Sequence, residues 1–389
     1  MKQAVLAGIR VVDFSWVMAG PMTTKMLAAM GAEVIKVESS LRPEYANRSA
    51  WFAVANNGKR SCTINITLPA GQELVHRLVA ISDVVVENFS AGVLDRYRLG
   101  YDHLRAVRED LVYVSASGVG RTGPQKDALA YGTLLQGYSG RAGMIGEPNA
   151  RLEAMGVLPA WTDPITAMWE TLAVLAAIHN RRRTGQGAYV DLSMLESTVA
   201  LLPESLLRHS LGAGSESPGG NREPGASPGG CFPCGGDDEW VAVTVKTDAQ
   251  WQGLCRAMGR PDLAADPRHV DGPARLRRKV QLDRELAHWL RARAAADAET
   301  LLQQEGVPAA RSRSVADVLA DPQFAERGLF PELPDGSRTI ALPWMDSEGW
   351  RGRFTPAPEL GADNDYVFRE LLGLSATEIS DLTRAGAIQ

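Results

Sequence analysis

The residue with the strongest claim to chemistry is a carboxylate at the start of an apolar helix, Asp163 in PAWTDPITAMWETLAVLAAI. Two readings stand side by side. As a helix cap, aspartate satisfies free backbone amides, and Pro164 behind it suits the first helical position. As a site residue flanked by Trp161 and Trp169, its charged form gains from the helix dipole, and it can serve as a covalent nucleophile. Periodicity does not separate these readings. The histidines offer less. None of His76, His103, His179, His209, His269 and His288 falls at a strand end beside a Ser or Cys in triad spacing, and His179 at a helix end can simply cap. Cys231 and Cys234 form a single CFPC. A zinc site wants a second ligand pair, and none is evident, so the stretch reads as a turn carrying two small apolar residues and no metal is expected.

A ligand must also be held. SASGVGRTGP (Ser115 to Pro124) is glycine-rich but lacks the GK[ST] of a Walker loop, so a tight surface turn explains it as well as a phosphate loop does. Arg42, Lys59, Arg60, Arg96, Arg98 and Arg121 are the cations near the expected strand ends. Guanidinium groups pair phosphate oxygens bidentately, so a phosphate-rich ligand would draw on several of them.

These groups need a scaffold. Apolar, β-branched runs at Val11 to Phe14, Glu33 to Val37, Ser61 to Ile66, Asp83 to Asn88, Leu111 to Ala116 and Tyr189 to Leu192 alternate with helical patterns at Gly71 to Ile81, Asp163 to Asn180 and Leu195 to Leu207. That alternation predicts an α/β fold, a Rossmann-like open parallel sheet covered by helices on both faces. Ligands of such sheets sit outside the carboxyl ends of the strands. Here those ends are Ser15 to Pro21, Glu38 to Arg42, Asn88 to Gly92 and Ser115 to Gly120. The first turn, SWVMAGP, lacks the three spaced glycines of a dinucleotide fingerprint, which disfavours a nicotinamide dehydrogenase.

The chain has 389 residues, 45% of them apolar, and a net charge of −5, which predicts more than one domain and gives no reason to expect nucleic acid. Residues 1–210, completed by 326–389, read as the large domain. Residues 211–236, rich in Gly, Pro and Ser, read as a linker or loop, and 225–325 as a smaller α+β domain. The helical patterns Asp365 to Leu372 and Ala376 to Arg384 close the chain. No secretory signal or membrane span is expected. Four cysteines make no disulfide framework and point to a reducing cytoplasm.

Seven blocks carry a family resemblance: GIRVVDFSWVMAGPMTTKMLAAMGAEVIKVE, NNGKRSCTINI, SDVVVENFSAGVLDRYRLGYDHL, VYVSASGVGRTGP, RRRTGQGAYVDLSMLES, GVPAARSRSVADVLADPQFAERGLF and LGADNDYVFRELLGLSATEISDLTRAGAI. In this order, over nearly the whole chain, the sequence resembles the class III coenzyme A transferases, a group that includes formyl-CoA and carnitine-CoA transferases and the α-methylacyl-CoA racemases. The resemblance places the catalytic carboxylate at the start of the helix before the RTGxG turn, the position of Asp163, and so favours the catalytic reading. It implies transfer of CoA from an acyl-CoA to a small carboxylic acid through aspartyl anhydride and aspartyl-CoA thioester intermediates. CoA is then a substrate, and no tightly bound cofactor is implied. CoA contacts are implied at Met18, Ala19, Ile64, Asn65, Asn88, Phe89, Arg96, Ala130 and Tyr131. An interlocked homodimer is implied as well.

Three departures qualify the likeness. Ser39 stands where some members place an Arg, with Arg42 as a substitute. Tyr131-Gly132 replaces the His-Asp pair of the racemase branch, which disfavours α-proton exchange. SPGGN (Ser217 to Asn221) and ASPGG (Ala226 to Gly230), the candidates for a loop covering the aspartyl intermediate, are not the four-glycine run of the formyl-CoA branch. The alternatives are a racemase or epimerase of the same fold, and a CoA-binding protein in which Asp163 only caps its helix.

Overall fold

The computed structural model describes residues 4–41, 49–146, 161–212, 219–220 and 223–389. Arg42, and residues 217, 218 and 221 of SPGGN, lie outside them.

Six strands form one parallel sheet in the order β3-β2-β1-β4-β5-β6, with β1 Arg10–Asp13, β2 Glu33–Glu38, β3 Arg60–Thr63, β4 Val84–Glu87, β5 Val112–Ser117 and β6 Ala188–Ser193. The order reverses between β1 and β4, the position at which a doubly wound sheet opens a crevice. Alternate residues of each strand face opposite sides. Val12, Ile35, Val85 and Tyr113 pack with Leu74, Val75 and Leu78 of helix α3 (Pro69–Ala80). Val11, Val34, Val84 and Val114 pack on the other face with Leu27 of α1 (Ala19–Ala29) and Val174 and Ile178 of a long helix, Thr162–Thr184. Between α3 and that helix come α4 (Tyr101–Arg105) and α5 (Gly132–Tyr138), so the long helix is α6; α2 is Ala50–Asn56. Burial on both faces is why these strands read as apolar runs. The free edge of β3 is covered in part by the bridge from Ile64 to Ile388 and the bond from Asn65 N–H to Ala387 O, 2.8 Å.

The chain divides into two compact units: Met1–Ala142 with Gly156–Ser215 and Gln323–Gln389, and Gly143–Met155 with Glu216–Pro322. The second unit holds an antiparallel sheet of β7 Gly229–Pro233, β8 Trp240–Thr244 and β9 Ala309–Arg311, whose core is completed by Trp251, Leu286 and Leu302.

Several expectations need correction. The helix expected over Leu195 to Leu207 is two: α7 (Met194–Val199) ends, and α8 (Pro203–Ser210) restarts at a proline, which has no N–H to donate within a helix. Part of the expected linker is strand β7, because Gly229–Pro233 obtains its order from pairing with β8 rather than from apolar side chains. The closing helix over Asp365 to Leu372 is a π-helix, Tyr366–Leu371. β3 ends at Thr63, short of Ile66. Among the described residues no helix is long and apolar enough to cross a membrane.

Candidate active site

The turn between β1 and α1 is held by charges inside the sheet. Asp13, fully buried, accepts from Ser15 N–H at 2.8 Å, from the Ser15 hydroxyl and from Thr24 Oγ1 at 2.7 Å. Lys59 Nζ lies 2.9 Å from Asp13 Oδ2 and also donates to Pro21 O at 2.9 Å and Asn56 Oδ1 at 2.8 Å. Lys36 Nζ donates to Ser15 O at 2.7 Å. Burial opposes the charge on Asp13, yet Lys36, Lys59 and the two hydroxyls hold its pKa down at about 2. Burial drags the Lys59 ammonium down while Asp13 holds it up. Lys59 is thus a buried partner of Asp13 and not the phosphate ligand its place in the sequence suggested.

Asn88 clamps the same turn. Its Oδ1 accepts from Trp16 N–H at 2.7 Å and its Nδ2 donates to Trp16 O at 2.8 Å, while the Trp16 ring meets Phe89 edge-on at 4.8 Å. The next residue, Val17, has φ of +60°, a left-handed conformation that a β-branched side chain rarely adopts. Such strain persists where surrounding structure enforces it, often at functional sites. Gly20 is required by space: a Cβ there would fall 2.3 Å from Ser15 Cβ.

α1 begins at Ala19 without a side-chain cap. The Ala19 amide instead lies near enough to the Asp163 carboxylate to favour its charged form, as does the amide of Asp163 itself. Asp163 is half-buried, and burial raises its pKa above 3.8 against the pull of those two amides. It is the second residue of α6, not the cap; Trp161 holds the cap position. The carboxylate therefore serves the β1–α1 turn as well as its own helix. Thr162 Oγ1 donates to Gly132 O at 3.0 Å, tying the start of α6 to α5. Ala130 packs in a small cluster with Ala19, Leu135 and Met194, and exposed Tyr131 caps α5. Met18, Ala19, Ala130, Tyr131 and Asp163 are thus brought to one neighbourhood.

A cavity of about 440 Å³ opens beside the turn, walled by Trp16, Met18, Trp51, Phe52, Ile64, Phe89 and Tyr97, with Lys36, Glu38, Ser39 and Asn65 as polar points. Met18, Ile64, Asn65 and Phe89 line it, whereas Asn88 acts behind the wall. Asp163 is not on this wall; Met18 and Ala19, adjacent in the chain, link the two. Arg96 is exposed and donates through Nε to Gly92 O at 3.3 Å, near the cavity residues Val93 and Tyr97.

Of the other expected anion ligands, Arg60 and Arg121 are committed elsewhere. Arg60 pairs with Asp363 at 2.8 Å at the start of β3, the wrong end of the strand, and Arg98 takes a left-handed helix-end conformation. Arg121 pairs with buried Glu87 at 2.6 Å, and its backbone N–H donates to Asp191, so the GVGRTG turn closes on acidic neighbours that would repel phosphate. Cys231 lies in β7 and Cys234 is buried, with burial raising both thiols; the four cysteines are unpaired. No cluster of three His, Cys, Asp or Glu side chains among the described residues could hold a metal.

Sequence reasoning missed Glu170. It is fully buried on α6, where Thr23 Oγ1 of α1 donates to its Oε2 at 2.7 Å. Burial pushes its pKa up to about 8, against that bond and with repulsion from Asp13 and Glu87. An acid inside an apolar helix was the available signal.

The family model for CoA-transferase family III matches residues 6–364. A succinyl-CoA–D-citramalate CoA-transferase of Chloroflexus aurantiacus is 31% identical over 97% of this chain and 96% of its own. A succinate–glutarate CoA-transferase of Agrobacterium fabrum is 32% identical over 97% of this chain and 98% of its own. The crystal structure of a CaiB/BaiF family protein from Brucella suis matches with a TM-score of 0.87 at 30% identity, covering 95% of this chain and 100% of that one.

Proposed function

Because the chain belongs to CoA-transferase family III, we propose that it moves CoA from an acyl-CoA, a succinyl-type thioester first among them, to a small dicarboxylic acid, with Asp163 as covalent nucleophile. One observation carries this reading: the half-buried Asp163 carboxylate, raised in pKa by burial, lies by the Ala19 amide of the turn whose Met18 lines the cavity. The named substrates of the relatives, succinyl-CoA, citramalate, succinate and glutarate, supply the substrate class.

An Asp163 oxygen attacks the thioester carbonyl, the C–S bond breaks, and CoA thiolate leaves a mixed anhydride. The thiolate then attacks the Asp163 carbonyl carbon and expels the donor acid, leaving an aspartyl-CoA thioester. The acceptor carboxylate attacks that carbon and again releases thiolate. Attack of the thiolate on the acceptor's carbonyl gives the new acyl-CoA and restores Asp163. Each step exchanges one acyl bond for another, so no proton donor or redox partner is needed. Partial burial makes the carboxylate more basic than in water, and holding it against a bound thioester can supply about 7–11 kcal/mol of the barrier. The Ala19 amide near the Asp163 carboxylate can stabilise the negative oxygen that forms whenever the side-chain carbon becomes tetrahedral.

The cavity, largely apolar with a few polar points, suits the remote end of CoA, whose binding can be spent on the reacting carbonyl. In this reading Met18, Ile64, Asn65 and Phe89 contact CoA directly, Asn88 fixes the turn, Arg96 meets phosphate, and Ala130 and Tyr131 flank the arm that reaches Asp163. The chain acts as a cytoplasmic homodimer. The unpaired cysteines support the compartment, and exposed Met168, Trp169 and Leu172 on α6 support an association surface.

Asp163→Ala tests the reading. CoA exchange from succinyl-CoA to glutarate is expected to be abolished while the fold, followed by circular dichroism, is kept; exchange that survives overturns the covalent role.

A further inference from the structure

Resting on the aspartate-centred exchange above, we propose that Arg141 binds the distal carboxylate of the dicarboxylic substrate. Its position follows from a short chain of contacts. Arg141 Nη1 donates to Gln136 Oε1 at 2.8 Å, and the same oxygen accepts from Trp161 N–H at 3.4 Å. Gln136 is buried on α5, whose first residue Gly132 accepts from Thr162 Oγ1. Gln136 thus fixes the Arg141 guanidinium against the first turn of α6, two residues before Asp163.

The charge of Arg141 is left for a ligand. Arg121 pairs with Glu87, Arg60 with Asp363 and Lys59 with Asp13. Arg141 is half-buried and pairs with no carboxylate among the described residues; the protein contact of its guanidinium is a neutral amide. A partly desolvated guanidinium without a counter-ion gains more from an incoming carboxylate than an exposed one does.

Reach fits as well. With carbon–carbon bonds of about 1.5 Å, the carboxylate carbons of an extended five-carbon diacid lie about 5 Å apart. A bidentate guanidinium–carboxylate contact adds roughly 4 Å. The helical rise of about 1.5 Å per residue puts the Trp161 amide and Asp163 on the same first turn, about 3 Å apart along the axis, and the two bonds through Gln136 Oε1, 3.4 Å and 2.8 Å, set the Arg141 nitrogen at most about 6 Å beyond that amide, together of the same order as the diacid's span. One carboxylate can then react at Asp163 while the other is held at Arg141. A monocarboxylic acid of equal length would leave that guanidinium unpaired.

The test compares glutarate with pentanoate as acceptors for the full-length chain, the Arg141→Gln and Arg141→Lys variants, and succinyl-CoA as donor. Loss of one charged hydrogen-bonded contact lowers the glutarate-to-pentanoate ratio of kcat/KM by about 30- to 100-fold in Arg141→Gln, mainly through KM for glutarate, and Arg141→Lys recovers part of it. A ratio equal to wild type in both variants overturns the proposal, as does an equal loss on both acids, the mark of a purely structural residue. If Arg141→Gln fails to fold, Arg141→Lys decides by the same ratio. Wild-type transfer to pentanoate but not glutarate overturns the subsite and leaves the transferase reading standing. Wild-type transfer to no acid overturns both.

Discussion

Replacing Glu170 with glutamine removes a titration that the folded chain must otherwise sustain. The carboxyl group is fully buried between α1 and α6, and its Oε1 and the neighbouring Thr166 hydroxyl have no hydrogen-bond partner among the described residues. Burial holds its pKa at about 8 against an ordinary value of 4.5. The folded chain therefore keeps this proton to higher pH than the unfolded chain does. The stability attached to the proton is complete below about pH 4.5 and is lost as pH rises to about 8, at roughly 1.4 kcal/mol per pH unit. By pH 7 about 3 kcal/mol has gone. Glutamine keeps the acceptor for Thr23 and does not titrate. Urea denaturation of wild type and Glu170→Gln, read as the difference at each pH, cancels every group common to both. The variant is expected to gain on wild type by roughly 1.4 kcal/mol per pH unit between about pH 5 and 8 and to level off above. A difference that stays constant across that range refutes the reasoning, because it would mean that Glu170 titrates alike in both states.

Two further outcomes follow from the turn and its carboxylate. Gly20→Ala puts a methyl group 2.3 Å from Ser15 Cβ, and is expected to cost about 1–3 kcal/mol of stability in denaturant melts and to depress exchange by shifting the Ala19 amide. Because burial raises the Asp163 pKa above 3.8 and the nucleophile must be ionised, kcat/KM is expected to fall on the acid side with a midpoint above pH 3.8; a midpoint at or below that value contradicts the burial argument.

The large sheet was legible because strands buried on both faces write long β-branched runs, and the turns at its carboxyl edge followed from the strand ends. The same runs hid Asp13 and Lys36, while Lys59 just before β3 read as a cation free for phosphate. Single charges within apolar strands look like interruptions until the fold brings them together. β7 was misread because glycines paired in a strand carry no side-chain pattern. Asp163 was visible as an acid at a helix start, but its approach to the Ala19 amide joins segments 144 positions apart, and no local pattern encodes that. Family resemblance bridged that gap for Asp163. It offered nothing for Glu170 or Arg141, whose roles depend on what they face across helix contacts.

The account stands on the covalent role of Asp163, and trapping tests it most directly. Wild-type protein is mixed with succinyl-CoA without acceptor, treated with borohydride and digested for mass spectrometry. The account predicts that the peptide containing residue 163 carries homoserine in place of aspartate, the product of reducing an aspartyl thioester. An unmodified Asp163 in enzyme shown to turn over under the same conditions would contradict it.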